Sequence, residues 1–159
     1  MKIIDGGVTA AKGFKAAGMH AGIKKGTKKD MAMIVSSAPC MAAGTFTTNL
    51  VKAAPGKWDQ HVVYEHGEAR VVVVNSGIAN ACTGAEGYGY CEETAKAAAE
   101  ALGIDKDEVL VASTGVIGKQ LPIDTIKKGV KDLSGLLLDT REAATLAAES
   151  IMTTDTVKK

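Results

Sequence analysis

Residues 70–75, RVVVVN, and residues 109–113, VLVAS, decide the fold. Four consecutive valines do not alternate with polar residues. The strand they predict is therefore buried on both faces rather than half solvated. The second run has the same character. Between them, Tyr90, Thr94, Ala97, Ala98, Ala101 and Leu102 fall on one helical face, and Gly103 follows where a helix closes in a left-handed residue. Buried strand, helix and buried strand make a βαβ-like step, and the class is mixed α/β.

Upstream, residues 31–37, MAMIVSS, predict a strand and Ala42 to Thr47 a second, with Pro39 and Cys40 in the connection. Proline donates no ladder hydrogen bond and so marks a break. Residues 49–55 are expected to be irregular or helical. His61 to Tyr64 predicts a short strand before a turn at Glu65, His66 and Gly67. Downstream, Ile123 to Leu133 and Asp139 to Met152 read as helices. The last is expected to start on an Asp139–Glu142 capping pattern and to bury Ala143, Leu146, Ala147, Ser150 and Ile151. The expected order is three strands, a helix, a strand and two helices, with a polar tail from Thr153 to Lys159. Linkers, repeats and low-complexity tracts are not evident, so the 159 residues form one domain.

Composition narrows the function classes. Lys and Arg total 19, Asp and Glu 18, for a net charge of +1. That balance argues against nucleic acid as a partner and against a polybasic membrane anchor. Apolar residues make up 46% and charged residues 23%, as in an ordinary folded domain. The longest apolar run, near Val71 to Val74, is far too short to cross a bilayer. The stretch from Met1 to Ala17 holds glycines and lysines where a signal peptide needs an apolar core, which predicts a cytoplasmic protein. The three cysteines, Cys40, Cys82 and Cys91, fit reduced thiols and no zinc pattern, so no metal is expected.

Two loops follow the two buried strands, where ligand sites of α/β sheets concentrate. In residues 75–84, NSGIANACTG, two asparagines could bind a polar ligand or cap local backbone. In residues 113–118, STGVIG, a Thr-Gly pair could present N–H groups and a hydroxyl to developing negative charge. On spacing alone a plain strand exit with turn glycines explains the second loop as well. Residues 115–119 lack the four-residue gap of a phosphate loop, and Gln120 stands where Ser or Thr is needed. His20, His61 and His66 show no metal or triad spacing, and no base can be named for Cys82.

Several long segments occur together: GGVTAAKGFKAAGMHAGIKK, DMAMIVSSAPCMAAGTFTTNLVKAAP, VVVVNSGIANACTGAEGY, EVLVASTGVIGKQLPID and ESIMTTDTVKK. In this order they closely resemble the N-terminal α-chain region of the bifunctional glutamate N-acetyltransferase / ornithine acetyltransferase family. The resemblance implies an N-terminal-nucleophile-type fold, a mixed sheet with packed helices. It also implies a precursor that cuts itself before a threonine, which becomes the nucleophile of a β chain. Acetyl would pass from N2-acetylornithine to that threonine and then to glutamate, in arginine biosynthesis. No cofactor is implied, although some members take acetyl from acetyl-CoA as co-substrate.

Carried over by position, Thr114 and Gly115 match the family's oxyanion-hole pair. Thr154, with Thr153 beside it, matches a substrate-contacting threonine. The family stretch K-G-x-G-M-I-x-P-N-M-A-T-M-L, with the cleavage-point threonine, follows position 159 and is not in this sequence. Residues 1–159 are accordingly expected to be an α-chain domain incomplete at its C-terminus and inactive alone. Its expected partners are the β chain of the same precursor and the two amino-acid substrates, in a higher oligomer of αβ units. Ile78 replaces an asparagine of the family's V-N-S-G-N-A-N-A-C-T-G loop and removes one amide. The alternatives are a related self-processing aminopeptidase-type chain and a non-catalytic binding or assembly domain.

Overall fold

A computed structural model describes residues 6–158. The first five residues of the stretch read above as lacking a signal peptide, and the terminal lysine, lie outside the described residues. Four strands form one sheet in the order β1 (Phe14–Met19), β2 (Met31–Met41), β3 (Glu68–Ile78), β4 (Val109–Val116). The first three are antiparallel neighbours, and β3 and β4 run parallel. Helix α2 (Gly84–Leu102) makes the crossover between them. The expected βαβ step is therefore present, and Gly103 closes α2 at φ 68° as predicted. The remaining helices are α1 (Ala54–His61), α3 (Ile123–Ser134) and α4 (Arg141–Ile151).

The valine run behaves as its composition demands. Val71 and Val73 point into the larger core with Met31, Met33, Val109, Val111 and the helices α1 to α3. Val74 and the partly buried Val72 pack on the opposite face with Ala16, Ala32 and Ala147. Alternating side chains thus feed two apolar layers, with α4 alone covering the second. That second layer is built from small residues. A methyl group at Gly18 of β1 would lie 2.2 Å from the Leu146 carbonyl oxygen of α4, so the helix backbone rests directly on the strand.

Several expectations need correction. β1 was not expected at all. β2 runs straight through Pro39 and Cys40, because the ladder is interrupted between Val35 and Cys40 and no partner there needs a proline N–H. The strand predicted over Ala42 to Thr47 is irregular. The predicted strand at His61 to Tyr64 is helical: α1 ends at His61 and passes into a wide π turn, Val62–His66, that buries Val62. The N-cap of α4 is Thr140, whose hydroxyl accepts the Ala143 N–H at 3.2 Å, rather than Asp139. Ala144 takes the inward place expected of Leu146 and Ile151, which are exposed. Because α4 rests so close at Gly18, its inward face holds only small side chains, Ala143, Ala144, Ala147 and Ser150.

Candidate functional site

Thr114 and Gly115 are the two residues before the last of β4 and not part of a loop. Pairing Ser76 with Thr114 and Gly77 with Gly115 draws both into the ladder. The two glycines make this rung unusual. Gly77 has φ 106° and Gly115 φ 133°, conformations that L side chains rarely adopt. A Cβ on Gly115 would sit 2.3 Å from the carbonyl carbon of Gly77. Two backbones therefore lie flush, and Gly115 is exposed while Thr114 is half-buried.

β4 is the outer strand of the sheet among the described residues, so one row of its backbone groups lacks a strand partner. Helix α1 closes part of that row. The Trp58 indole N–H donates to the Val109 carbonyl at 2.8 Å, and the Val111 N–H donates to the Asp59 carboxylate at 2.9 Å. On the other side, the Val116 carbonyl accepts the Ala79 N–H. Odd positions therefore face outward and even positions face β3. Alternation along the strand then turns the Gly115 N–H to the open edge, beyond the reach of the α1 plug. The Asp59 carboxyl is pushed up to about 6 by burial, partly opposed by the Val111 N–H it accepts.

Thr153 and Thr154 follow α4 and are exposed. Their segment is tied back to the end of β3. The Ser76 hydroxyl donates to the Ser150 carbonyl, and the Lys24 ammonium donates to the Met152 carbonyl at 2.5 Å. The Thr153 N–H donates to the Asp155 carboxylate at 3.1 Å. A groove of about 400 Å³ beside this turn is lined by Lys24, Thr27, Glu149, Thr153 and Asp155. Thr154 is outside that lining. Ser76 and Gly77 connect the two predicted groups: they pair with Thr114 and Gly115 on one side and meet Ser150 and Lys24 on the other.

The asparagine loop is otherwise occupied. Asn75 donates to the Ile78 carbonyl and accepts the Ser113 hydroxyl at 2.6 Å. Asn80 donates to the Gly87 carbonyl and the Cys91 sulfur and accepts the Thr83 hydroxyl. Both side chains are buried, so the capping reading holds. Ile78 is buried in the larger core, where an apolar side chain suits its surroundings. Burial also pushes the Cys91 thiol up to about 12, which leaves it protonated and inert.

Sequence reasoning passed over the Lys24–Asp30 pair. The wholly buried Asp30 carboxylate accepts the N–H groups of Ala21, Gly22, Ile23 and Lys24, at 2.6 to 3.2 Å, and shapes the β1–β2 loop. Burial lowers the Lys24 ammonium below its ordinary value, against the pull of Asp30. A lone acid ahead of a strand carries no spacing signal that would have revealed this. Among the described residues, no cluster of three or more His, Cys, Asp or Glu side chains could hold a metal ion, and no helix is long and apolar enough to cross a membrane.

The ArgJ family pattern matches residues 15–159. The arginine biosynthesis bifunctional protein ArgJ of Gloeobacter violaceus is 51% identical over 156 residues, which are 98% of this chain and 38% of that protein. The protein of the same name from Streptomyces coelicolor is 49% identical over 153 residues, 96% of this chain and 39% of that protein. The chain thus spans less than two fifths of the length of these relatives. A crystal structure of arginine biosynthesis bifunctional protein ArgJ from Bacillus halodurans superposes with a TM-score of 0.92 at 43% identity, covering 99% of this chain and 81% of that one. Ornithine acetyltransferase complexed with ornithine, from Mycobacterium tuberculosis, gives the same TM-score and identity over 98% of this chain and 83% of that one.

Proposed function

The chain belongs to the ArgJ family, and from that premise we propose that it is the α chain of an ornithine/glutamate N-acetyltransferase acting by a ping-pong acyl-enzyme route. A β chain of the same precursor brings an N-terminal threonine. The free amine of that threonine takes the proton from its own hydroxyl, and the oxygen attacks the acetyl carbonyl of N2-acetylornithine. Charge collects on the former carbonyl oxygen. The Gly115 N–H, with Thr114, donates to it from a position fixed by the strand ladder. Collapse breaks the C–N bond, the ornithine amine leaves with the proton, and an acetyl ester remains on the threonine. The glutamate amine then attacks the ester and carries the acetyl group away. Thr154 and Thr153 hold the amino-acid part of the substrate by hydrogen bonds. Acetyl-CoA is an alternative acetyl donor in this reading, and no bound cofactor takes part.

One observation supports this reading most. The edge of β4 is plugged by Trp58 and Asp59 as far as Val111 and left open at the glycine rung that follows. The uncovered stretch is short and carries a glycine, so its backbone donors stay reachable by a ligand or partner chain.

The test assembles this chain with the polypeptide that follows it in its relatives and measures acetyl transfer from N2-acetylornithine to glutamate. The assembly should turn over and the chain alone should not. In the assembly, Thr114→Ala should lower kcat about 100-fold with little change in KM, the loss of roughly 3 kcal/mol expected for one oxyanion donor. Robust turnover by the chain alone, or unchanged kinetics in Thr114→Ala, refutes the assignment.

A further inference from the structure

We propose that Lys24 is a positioning residue for acetyl transfer: it clamps the backbone at Met152 and so sets where Thr153 and Thr154 stand relative to the Gly77–Gly115 rung. The inference rests on the reading above that those threonines meet the substrate.

Lys24 touches both halves of the site. Its ammonium donates to the Met152 carbonyl and to the Lys29 carbonyl, at 2.5 and 2.9 Å. Its aliphatic stem crosses Gly77, where a Cβ would come within 2.9 Å of the lysine Cγ. Gly77 is the strand neighbour of Gly115. The backbone of Lys24 is itself fixed, since its N–H donates at 2.8 Å to the buried Asp30. One side chain, immobilised at its root, therefore spans from the glycine rung to the carbonyl just before Thr153.

Solvation argues for position rather than general stability. The contact closes a half-buried carbonyl just past the last turn of α4, and an ammonium near a helix C-terminus is favoured there. The residues that follow, 153 and 154, are exposed. Within the turn the Thr153 N–H donates to Asp155, and outside it Lys29 and Lys158 both pair with Glu149, at 3.0 and 2.6 Å. Those two lysines hold the helix end and the terminus but reach neither Thr153 nor Thr154. Removing the Lys24 clamp leaves α4 seated on the sheet and takes away the tie between the β1–β2 loop and the turn that carries the two threonines.

The experiment compares Lys24→Met, which keeps the stem and loses the donors, with Lys24→Arg, which keeps donors, in the assembled enzyme. Four quantities are read: KM and kcat for N2-acetylornithine, melting temperature, and amide hydrogen exchange of residues 152–155. Expected for Lys24→Met are a KM raised about 10-fold, a kcat within about twofold and an unchanged melting temperature, with KM largely restored in Lys24→Arg. Exchange of residues 152–155 should rise at least about 10-fold in Lys24→Met and stay slow elsewhere. Wild-type KM, a kcat loss without a KM change, a fall in melting temperature that tracks the kinetic loss, or failure of Lys24→Met to fold each overturns the proposal. If the unaltered assembly transfers no acetyl group, the functional reading fails on its own. The exchange measurement then still decides the clamp: unchanged exchange at 152–155 refutes it.

Discussion

Two polar, glycine-bearing regions lie at the same end of the sheet, the carboxyl ends of β3 and β4, and they have opposite characters. The segment from Asn75 to Gly84, expected as a loop but in fact the end of β3 and the turn into α2, is rich in amides and hydroxyls, yet Asn75, Asn80 and Thr83 are buried and bonded to Ile78, Ser113, Gly87 and one another. The end of β4 has little side-chain polarity, yet its backbone reaches solvent at Gly115. The first region spends its polar groups on its own architecture. The second keeps donors free by having no side chain to cover them. Capacity for chemistry here follows from which groups remain unpaired and not from how many polar residues a segment contains.

The contrast can be broken at the glycine rung first. Gly115→Ala should cost about 4 kcal/mol or more, from a strained φ plus a methyl driven into the Gly77 carbonyl, and should be read as a collapse in soluble yield or melting temperature. A variant that melts like the parent would show that the rung has room to relax. Next, Asn80→Ala should cost roughly 3 kcal/mol, because the Gly87 carbonyl and Thr83 hydroxyl lose a buried partner. In the assembled enzyme the molecules that fold should keep full turnover. A large kcat loss at normal stability would move the asparagine loop into the site.

The α1 plug gives a third, smaller handle. Folded Asp59, with a pKa of about 6 against an ordinary 3.8, holds a proton that the unfolded chain has already released. The contribution of Asp59 to stability is therefore fully present below about pH 4 and is lost as pH rises through about 6. Asp59→Asn should flatten that slope and add on the order of 2 kcal/mol at neutral pH, after allowance for the solvent that still reaches the group. Denaturant melts from pH 4 to 7 check it, and an unchanged slope would contradict it. The smallest effect belongs to a purely architectural contact far from the comparison. Thr140→Ala should cost about 1 kcal/mol in melting experiments and nothing in KM.

Much of this was legible in the sequence where local chemistry is unambiguous. The valine run, the VLVAS strand, the Gly103 cap and the parallel step between the strands were readable because branching and glycine leave few other conformations. The Thr-Gly pair stood out by following a buried strand, only the family resemblance favoured it over a plain strand exit, and its place within the strand followed from pairing with Ser76 and Gly77. Residues Phe14 to Met19 are a strand with little strand composition, held between β2 and α4, so tertiary contact made what propensity did not announce. Pro39 misled because a ladder interruption removes the requirement it violates. Lys24 and Asp30 were invisible because their importance lies in bonds to backbone groups, which no residue spacing encodes.

The low seat of α4 carries one more consequence. With its carbonyl at Leu146 resting where position 18 can hold no more than a hydrogen, the helix sits at the least height a sheet permits. Any added carbon there would act as a shim, tilting the helix and carrying its downstream end away from the neighbouring strand. A single hydrogen atom in β1 is thus the spacer that calibrates the far side of the molecule, and drift at that position would mis-set the geometry without touching a residue that meets substrate.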